Sequence, residues 1–97
     1  MKECAVARRV VAEGVVQGVG YREFTRRWAM RLNISGWVRN RRDGAVEALV
    51  CGAAADIDLM LEKLRQGPPG AAVHALRVEE GASGEGEAAG FAVRPTF

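Results

Sequence analysis

Length, composition and charge describe one small domain. The chain has 97 residues, of which 48% are hydrophobic. It contains no apolar run near the roughly 18 residues that cross a bilayer, which excludes a helical membrane protein. The net charge is only +2, but seven arginines lie between positions 22 and 42. Such a basic cluster favours an anionic partner, either a nucleic acid or a phosphorylated metabolite.

The chain has two cysteines, Cys4 and Cys51, which lie far apart in the sequence. They form neither a Cys-x-x-Cys metal or redox motif nor a dense disulfide framework, so we expect two isolated thiols. A disulfide between them is the alternative interpretation, since secretion or an extreme habitat would permit one. The first residues contain no apolar signal region, and we therefore expect a cytoplasmic location.

The first predicted element is a strand that leads into a glycine-containing loop. Val6–Ala12 is rich in valine and is bounded by Gly14, which is typical of a buried strand. In the following loop, residues 17–22, Gly18 and Gly20 occupy alternating positions. Glycine permits positive φ, so consecutive N–H groups can converge on one anion where the next helix begins. A plain tight turn is the competing interpretation.

The apolar pattern changes to a helical period at Arg22. Phe24, Trp28 and Leu32 recur every four residues and predict an amphipathic helix with these side chains on its buried face. Asn33 follows, and Asn is the commonest non-glycine residue in the left-handed conformation that ends helices. We therefore expect the helix to end at this asparagine.

The rest of the chain predicts a hairpin, a second helix and two strands. In chain order these are strands Gly36–Asn40 and Val46–Val50 around the turn Asp43-Gly44, a helix Asp56–Arg65 that stops at Gly67-Pro68-Pro69, strand Val73–Glu79, a loop from Gly81 to Gly90, and strand Phe91–Arg94. This order predicts an α+β fold, the ferredoxin-like βαββαβ sandwich, in which two helices cover one face of an antiparallel sheet. The last strand would add a short edge strand to this fold. We expect residues 1–97 to form this single domain.

Almost the whole chain resembles the acylphosphatase family. The resemblance is carried by Val16-Gln17-Gly18-Val19-Gly20-Tyr21-Arg22, Gly36-Trp37-Val38-Arg39-Asn40, Asp43-Gly44-Ala45-Val46-Glu47, Gly52 and Gly67-Pro68-Pro69. It implies hydrolysis of small acyl phosphates to a carboxylate and inorganic phosphate, without a metal or cofactor. It assigns water orientation to Asn40 and phosphate binding to the Arg22 side chain. It also assigns phosphate binding to the backbone amides of the loop, which are those of Gln17, Gly18, Val19, Gly20, Tyr21 and Arg22.

Several other residues have structural interpretations. Arg39, Arg41 and Arg42 are expected to form a solvated rim that attracts anions without binding the substrate. His74 lies in a predicted strand without metal-ligand spacing around it, and Trp28 and Trp37 are expected to pack. None of these residues is assigned to the site.

Two alternative functions remain open from the residues alone. A single-stranded RNA binder uses the same topology and a basic surface, but it stacks bases on aromatic residues of the central strands. Residues 6–13 and 45–51 contain no aromatic residue, which argues against this function. The second alternative is a phosphate receptor without turnover. We expect a monomer that acts on a small acyl phosphate and binds neither nucleic acid nor membrane.

Overall fold

The computed structural model describes residues 4–81 and 90–97. Within them lie five strands and two helices: β1 (Val6–Val15), α1 (Tyr21–Arg31), β2 (Ser35–Asn40), β3 (Val46–Gly52), α2 (Ala54–Gln66), β4 (Ala72–Glu80) and β5 (Phe91–Val93). The predicted order of elements is confirmed. Residues 82–89 of the predicted loop before the last strand lie outside the described part. Neither described helix is long and apolar enough to cross a membrane.

The five strands form one sheet in the order β4-β1-β3-β2-β5. Three neighbouring pairs are antiparallel, whereas β5 runs parallel to β2 with Gly36 opposite Phe91. The sheet is therefore mixed at the edge strand β5 and antiparallel elsewhere, and the predicted ferredoxin-like α+β fold is confirmed. The direction of β5 follows from the topology. The last residues of β4 and the first residues of β2 lie at the same end of the sheet. A strand that starts at this end and pairs with β2 therefore runs parallel to it.

Both helices pack against one hydrophobic core. The buried residues of α1 are Tyr21, Thr25 and Ala29. Phe24, Trp28 and Leu32, which were expected to form the buried face, are only partly buried. The small side chains of Thr25 and Ala29 let the helix lie close to the sheet, so larger side chains fit only at its margins.

Two positions hold the backbone of this region in conformations that few residues adopt. Asn33 has φ 60° just after α1, which confirms the predicted left-handed helix end. Gly36 in β2 has φ 138°, and a Cβ there would collide with the carbonyl oxygen of Leu49. Only glycine permits this close approach of β2 to β3. The resulting register places Asn40 opposite Val46 at the far end of the pair.

Cys4 and Cys51 form a disulfide, with their Cα atoms 5.2 Å apart. The expectation of two isolated thiols is therefore wrong. Cys51 lies in β3 opposite Ala7 of β1, so the segment that precedes β1 passes directly beside it. This pairing depends on the strand register, which brings two distant positions together.

Candidate active site

The loop between β1 and α1 leaves backbone N–H groups without side-chain partners. Gly18 and Gly20 have φ 75° and 80°, the left-handed conformations that their sequence positions predict. Gly20 is the N-cap residue of α1, and no side chain caps this helix start. The first N–H groups of a helix have no intrahelical acceptor, and they lie at the positive end of its dipole. The start of α1 is therefore suited to an anion.

Arg22 projects from this helix start into a small depression, here called the Arg22 pocket. The helix begins at Tyr21, so Arg22 is its second residue, not its first as expected. The pocket has a volume of about 260 Å³, slightly below the usual range for small-molecule sites. Within the described part, the Arg22 guanidinium has no ion pair or hydrogen bond, so it is available to a ligand.

The pocket brings the predicted loop and the predicted asparagine together. Gly18, Gly20, Tyr21 and Arg22 line one side, and Asn40 lines the other. The remaining lining residues are Val16, Glu23 and Val93. In residues 4–81 and 90–97, no three His, Cys, Asp or Glu side chains lie close enough together to hold a metal ion.

Asn40 has a fixed backbone and an unengaged side chain. Its carbonyl oxygen accepts a hydrogen bond of 2.9 Å from the Phe97 N–H, and the Arg42 N–H donates to the Phe97 carbonyl at 3.0 Å. The pairing with Val46 fixes the other side of the strand. No described residue forms a hydrogen bond with the Asn40 carboxamide. The carboxamide is thus held at the pocket and remains free to bind.

Gln17 and Val19 do not line the Arg22 pocket. The Gln17 side-chain amide donates to the carbonyls of Arg41 and Ala45, at 2.7 and 2.9 Å. Val19 packs against the core. The side chain of Gln17 therefore ties the loop to the hairpin that follows Asn40, a role that nothing in the local sequence indicated.

Glu23 also lines the pocket, a position that was not predicted from the sequence. Its carboxylate accepts hydrogen bonds from Arg26 at 2.7 and 2.8 Å and from Arg27 at 3.1 Å. The hydrogen bonds from Arg26 and then Arg27 lower the pKa of Glu23 to about 2. An acid directly after Arg22, with arginines three and four residues later, is the helix-surface pattern that signals such pairs.

Arg39 is not part of a solvated rim, which corrects that expectation. Its side chain is only 16% exposed and pairs with Glu47 at 2.8 Å. The guanidinium also lies 4.6 Å from the Trp37 ring centroid and 4.0 Å from that of Phe97. Arg41 pairs with Asp43 at 3.0 Å. Arginines near the pocket therefore hold the hairpin and sheet together, whereas Arg22 faces the cavity.

The chain is similar to known proteins over most of its length. The model of the acylphosphatase family matches residues 8–93. An acylphosphatase of Azoarcus sp. (strain BH72) is 49% identical over 90 residues, which cover 93% of this chain and 90% of that protein. The crystal structure of the Bacillus subtilis acylphosphatase is similar with a TM-score of 0.84, 32% identity and coverage of 92% and 98%. An acylphosphatase structure from Coxiella burnetii has the same TM-score, 38% identity and 92% coverage of each chain.

Proposed function

We propose that this chain, which belongs to the acylphosphatase family and hydrolyses acyl phosphates, binds the substrate phosphate with Arg22 and the amides of residues 17–22. Asn40 orients the attacking water. One observation carries this assignment: the free Arg22 guanidinium and the free Asn40 carboxamide line the same small pocket as the uncapped start of α1. Each of these three groups lacks a described side-chain partner and can therefore serve a ligand.

Phosphate binding follows from the donors around the pocket. The planar Arg22 guanidinium donates paired hydrogen bonds to two phosphate oxygens, and the backbone N–H groups at the start of α1 donate to the others. The backbone donors are held in place by the loop and the helix before the substrate arrives. They therefore stabilise the charge on the phosphate oxygens in the transition state with little reorganisation.

The water attacks phosphorus from the side of Asn40. The carboxamide oxygen of Asn40 accepts a hydrogen bond from this water, but an amide is far too weak a base to remove its proton. As the new P–O bond forms, the bond between phosphorus and the acyl oxygen breaks and releases a carboxylate. The water proton passes to a phosphate oxygen of the substrate, so the products are a carboxylate and inorganic phosphate.

Phosphate release from acetyl phosphate and benzoyl phosphate, measured in the presence of a chelator, tests these roles. Arg22→Ala is expected to lower kcat/KM by about a thousandfold, because it removes the main charged donor to the transferred phosphoryl group. Asn40→Ala is expected to lower kcat by about a hundredfold while leaving inhibition by inorganic phosphate nearly unchanged, because water positioning is lost and phosphate binding is retained.

Matched variants serve as controls. Arg65→Ala removes an exposed arginine of α2, and Asn33→Gly removes a carboxamide while it keeps the left-handed backbone that Asn33 adopts. Both controls are expected to retain wild-type rates. Full activity in Arg22→Ala and in Asn40→Ala would refute the site assignment.

We also propose that the chain acts as a monomer without nucleic acid. All the groups assigned to the pocket come from one chain. Glu47 of the central strand β3 is buried between Arg9 and Arg39, so a carboxylate occupies the part of the sheet where RNA binders place aromatic rings. Sedimentation, together with retention on a single-stranded oligonucleotide column at low salt, tests both statements.

A cytoplasmic location remains a prediction, and the disulfide bears directly on it. Disulfides persist in oxidising compartments and are rare in the cytosol. Alkylation of thiols in cells before lysis distinguishes paired from free Cys4 and Cys51. Free thiols in the cell would support the cytoplasm, and a protected pair would contradict it.

A further inference from the structure

A second concave surface, here called the Trp28 groove, adjoins the Arg22 pocket. Phe24, Arg27, Trp28 and Arg31 of α1 form one wall, and Pro68 and Pro69 form the other. Its volume is about 380 Å³, which lies within the range of small-molecule sites. We propose that this groove binds the acyl portion of the substrate and favours an aromatic acyl group that carries a distal carboxylate.

The groove is continuous with the proposed phosphate site. Gly20 and Glu23 line both the Arg22 pocket and the Trp28 groove. Beyond its chain neighbours, no heavy atom lies within 4 Å of the position that a Cβ would take on Gly20. A substrate whose phosphate lies at Arg22 therefore has open space across Gly20 in which to extend its acyl group.

Apolar side chains form part of both walls of the groove. Trp28 and Phe24 are only partly buried, so their rings retain surface for a ligand, and Pro68 and Pro69 face them. Contact between two aromatic rings contributes binding free energy in addition to that from the apolar area that the contact buries. This arrangement favours a planar acyl group over the methyl group of an acetyl substrate, which has no ring to pack on Trp28.

The charges around Trp28 give the groove its preference for an anionic end. The Arg31 guanidinium lies 5.1 Å from the Trp28 ring centroid, and the Lys63 ammonium lies 4.7 Å from it. Arg27 is already paired with Glu23, whereas Arg31 is exposed and has no ion pair within the described part. Arg31 lines the groove and Lys63 does not, so Arg31 is the cation of the groove that can bind a carboxylate.

Three substrates separate these contributions: acetyl phosphate, benzoyl phosphate and 4-carboxybenzoyl phosphate. Trp28→Ala is expected to lower the kcat/KM ratio of benzoyl phosphate to acetyl phosphate about tenfold, because the ring contact is lost. Trp28→Phe is expected to keep this ratio within about twofold. Comparison of each variant with the wild type cancels the differing chemical reactivity of the substrates.

Arg31→Gln tests the charged end of the groove. The kcat/KM ratio of 4-carboxybenzoyl phosphate to benzoyl phosphate is expected to fall about threefold, because an exposed ion pair contributes little binding free energy. Arg65→Gln removes an equal charge from an exposed position of α2 and is expected to keep the wild-type ratio. Because Arg31 is exposed, Arg31→Gln is expected to fold normally. It therefore tests the groove even if Trp28→Ala folds poorly.

An unchanged ratio in either Trp28→Ala or Arg31→Gln overturns the proposal. The inference rests on the phosphate lying at Arg22, so Arg22→Ala is measured with the same three substrates. A parallel loss with all three substrates supports that placement, and unchanged ratios in the groove variants then refute the groove alone. Full activity of Arg22→Ala would instead refute the placement of the phosphate.

Discussion

Glu23 is an anion that lies beside the proposed phosphate site. It lines the Arg22 pocket, and the hydrogen bonds from Arg26 and Arg27 hold its pKa at about 2. The carboxylate therefore stays ionised at every pH at which the protein is assayed. The charges of Arg26 and Arg27 counter part of its repulsion toward a phosphate.

Glu23→Gln is expected to tighten competitive inhibition by inorganic phosphate about twofold to threefold at low salt, because one nearby negative charge is removed. The gain is expected to shrink at about 200 mM salt, where exposed charges are screened. The gain is also expected to be larger at pH 8 than at pH 5, since Glu23 stays ionised across that window while inorganic phosphate passes from the monoanion to the dianion. Weaker inhibition in the variant would contradict this and would mean that the freed Arg26 and Arg27 disturb the pocket.

Glu47 is the buried charge on which the sheet depends. It is 4% exposed and accepts hydrogen bonds of 2.8 Å from Arg9 and from Arg39. Burial by itself raises the pKa of Glu47, but the hydrogen bonds from Arg39 and Arg9 outweigh it, so the pKa lies below its usual value. A carboxyl whose pKa is lowered by folding stabilises the protein above its unfolded pKa and loses that contribution as the pH falls.

Glu47→Gln is expected to lower the free energy of unfolding by about 2 kcal/mol at pH 7, less than for a fully buried pair because Arg9 is partly exposed. The difference in free energy of unfolding between Glu47→Gln and wild type is expected to narrow below about pH 4, where the carboxyl of the unfolded chain takes up its proton. Urea denaturation at pH 7 and pH 3 measures this difference. The exposed Glu62→Gln serves as control and is expected to stay within about 0.5 kcal/mol. A difference that widens at pH 3 would contradict the assigned pKa direction.

At the scale of secondary-structure elements, the site depends on how the β1–α1 loop meets the β2–β3 hairpin. Gln17 makes this connection, because its side-chain amide donates to the carbonyls of Arg41 and Ala45. Arg41 follows Asn40 directly, so a shift of this hairpin would move the Asn40 carboxamide away from the proposed phosphate-binding loop, residues 17–22. Gln17 is thus a positioning residue.

Gln17→Glu keeps the shape of the side chain but removes both donors and places a carboxylate against two carbonyl oxygens. We expect kcat to fall about tenfold or more, because small displacements of positioning groups are costly in catalysis. Inhibition by inorganic phosphate is expected to change less, since Arg22 and the helix start remain. The exposed Gln66→Glu makes the same chemical change at the end of α2 and is expected to leave both constants intact. Weaker phosphate inhibition with an unchanged kcat would contradict this role.

At the scale of the whole molecule, the disulfide and the proposed site lie at opposite ends of the hairpin. Cys51 pairs with Ser35 at the start of β2, whereas Asn40 ends the same strand opposite Val46. The disulfide closes a sequence separation of 47 residues. A crosslink across this separation strongly restricts the unfolded chain. We expect its effect on the folded site to be small, because the pairing of β2 with β3 holds the end of the hairpin that carries Asn40.

Reduction of the disulfide, or the double substitution Cys4→Ala and Cys51→Ala, is expected to lower the free energy of unfolding by about 3 kcal/mol. For a domain of this size the melting temperature should fall by more than about 10 °C. kcat/KM at 25 °C is expected to stay within about twofold, since most molecules remain folded. Calorimetry and the acetyl phosphate assay measure the two effects. An unchanged melting temperature, or a loss of activity without unfolding, would contradict the prediction that the disulfide stabilises the fold without contributing to activity.

The amino-acid sequence by itself determined the element order, the left-handed loop glycines, the helix end at Asn33 and membership of the family. Each of these depends on neighbouring residues: hydrophobic period, the φ that a residue type permits, or a motif that occupies consecutive positions. The predicted site residues Arg22 and Asn40 belong to two such motifs. The structure brings both to one pocket, and their catalytic roles remain predictions.

Only the tertiary structure decided the contacts between distant segments. The Cys4–Cys51 disulfide, the parallel pairing of β5 with β2 and the burial of Arg39 against Glu47 each join residues whose own neighbours carry no sign of the pairing. The same holds for the Trp28 groove, in which α1 meets Pro68 and Pro69. Such contacts depend on strand register and on helix packing, and these are properties of the assembled core, which no single segment contains.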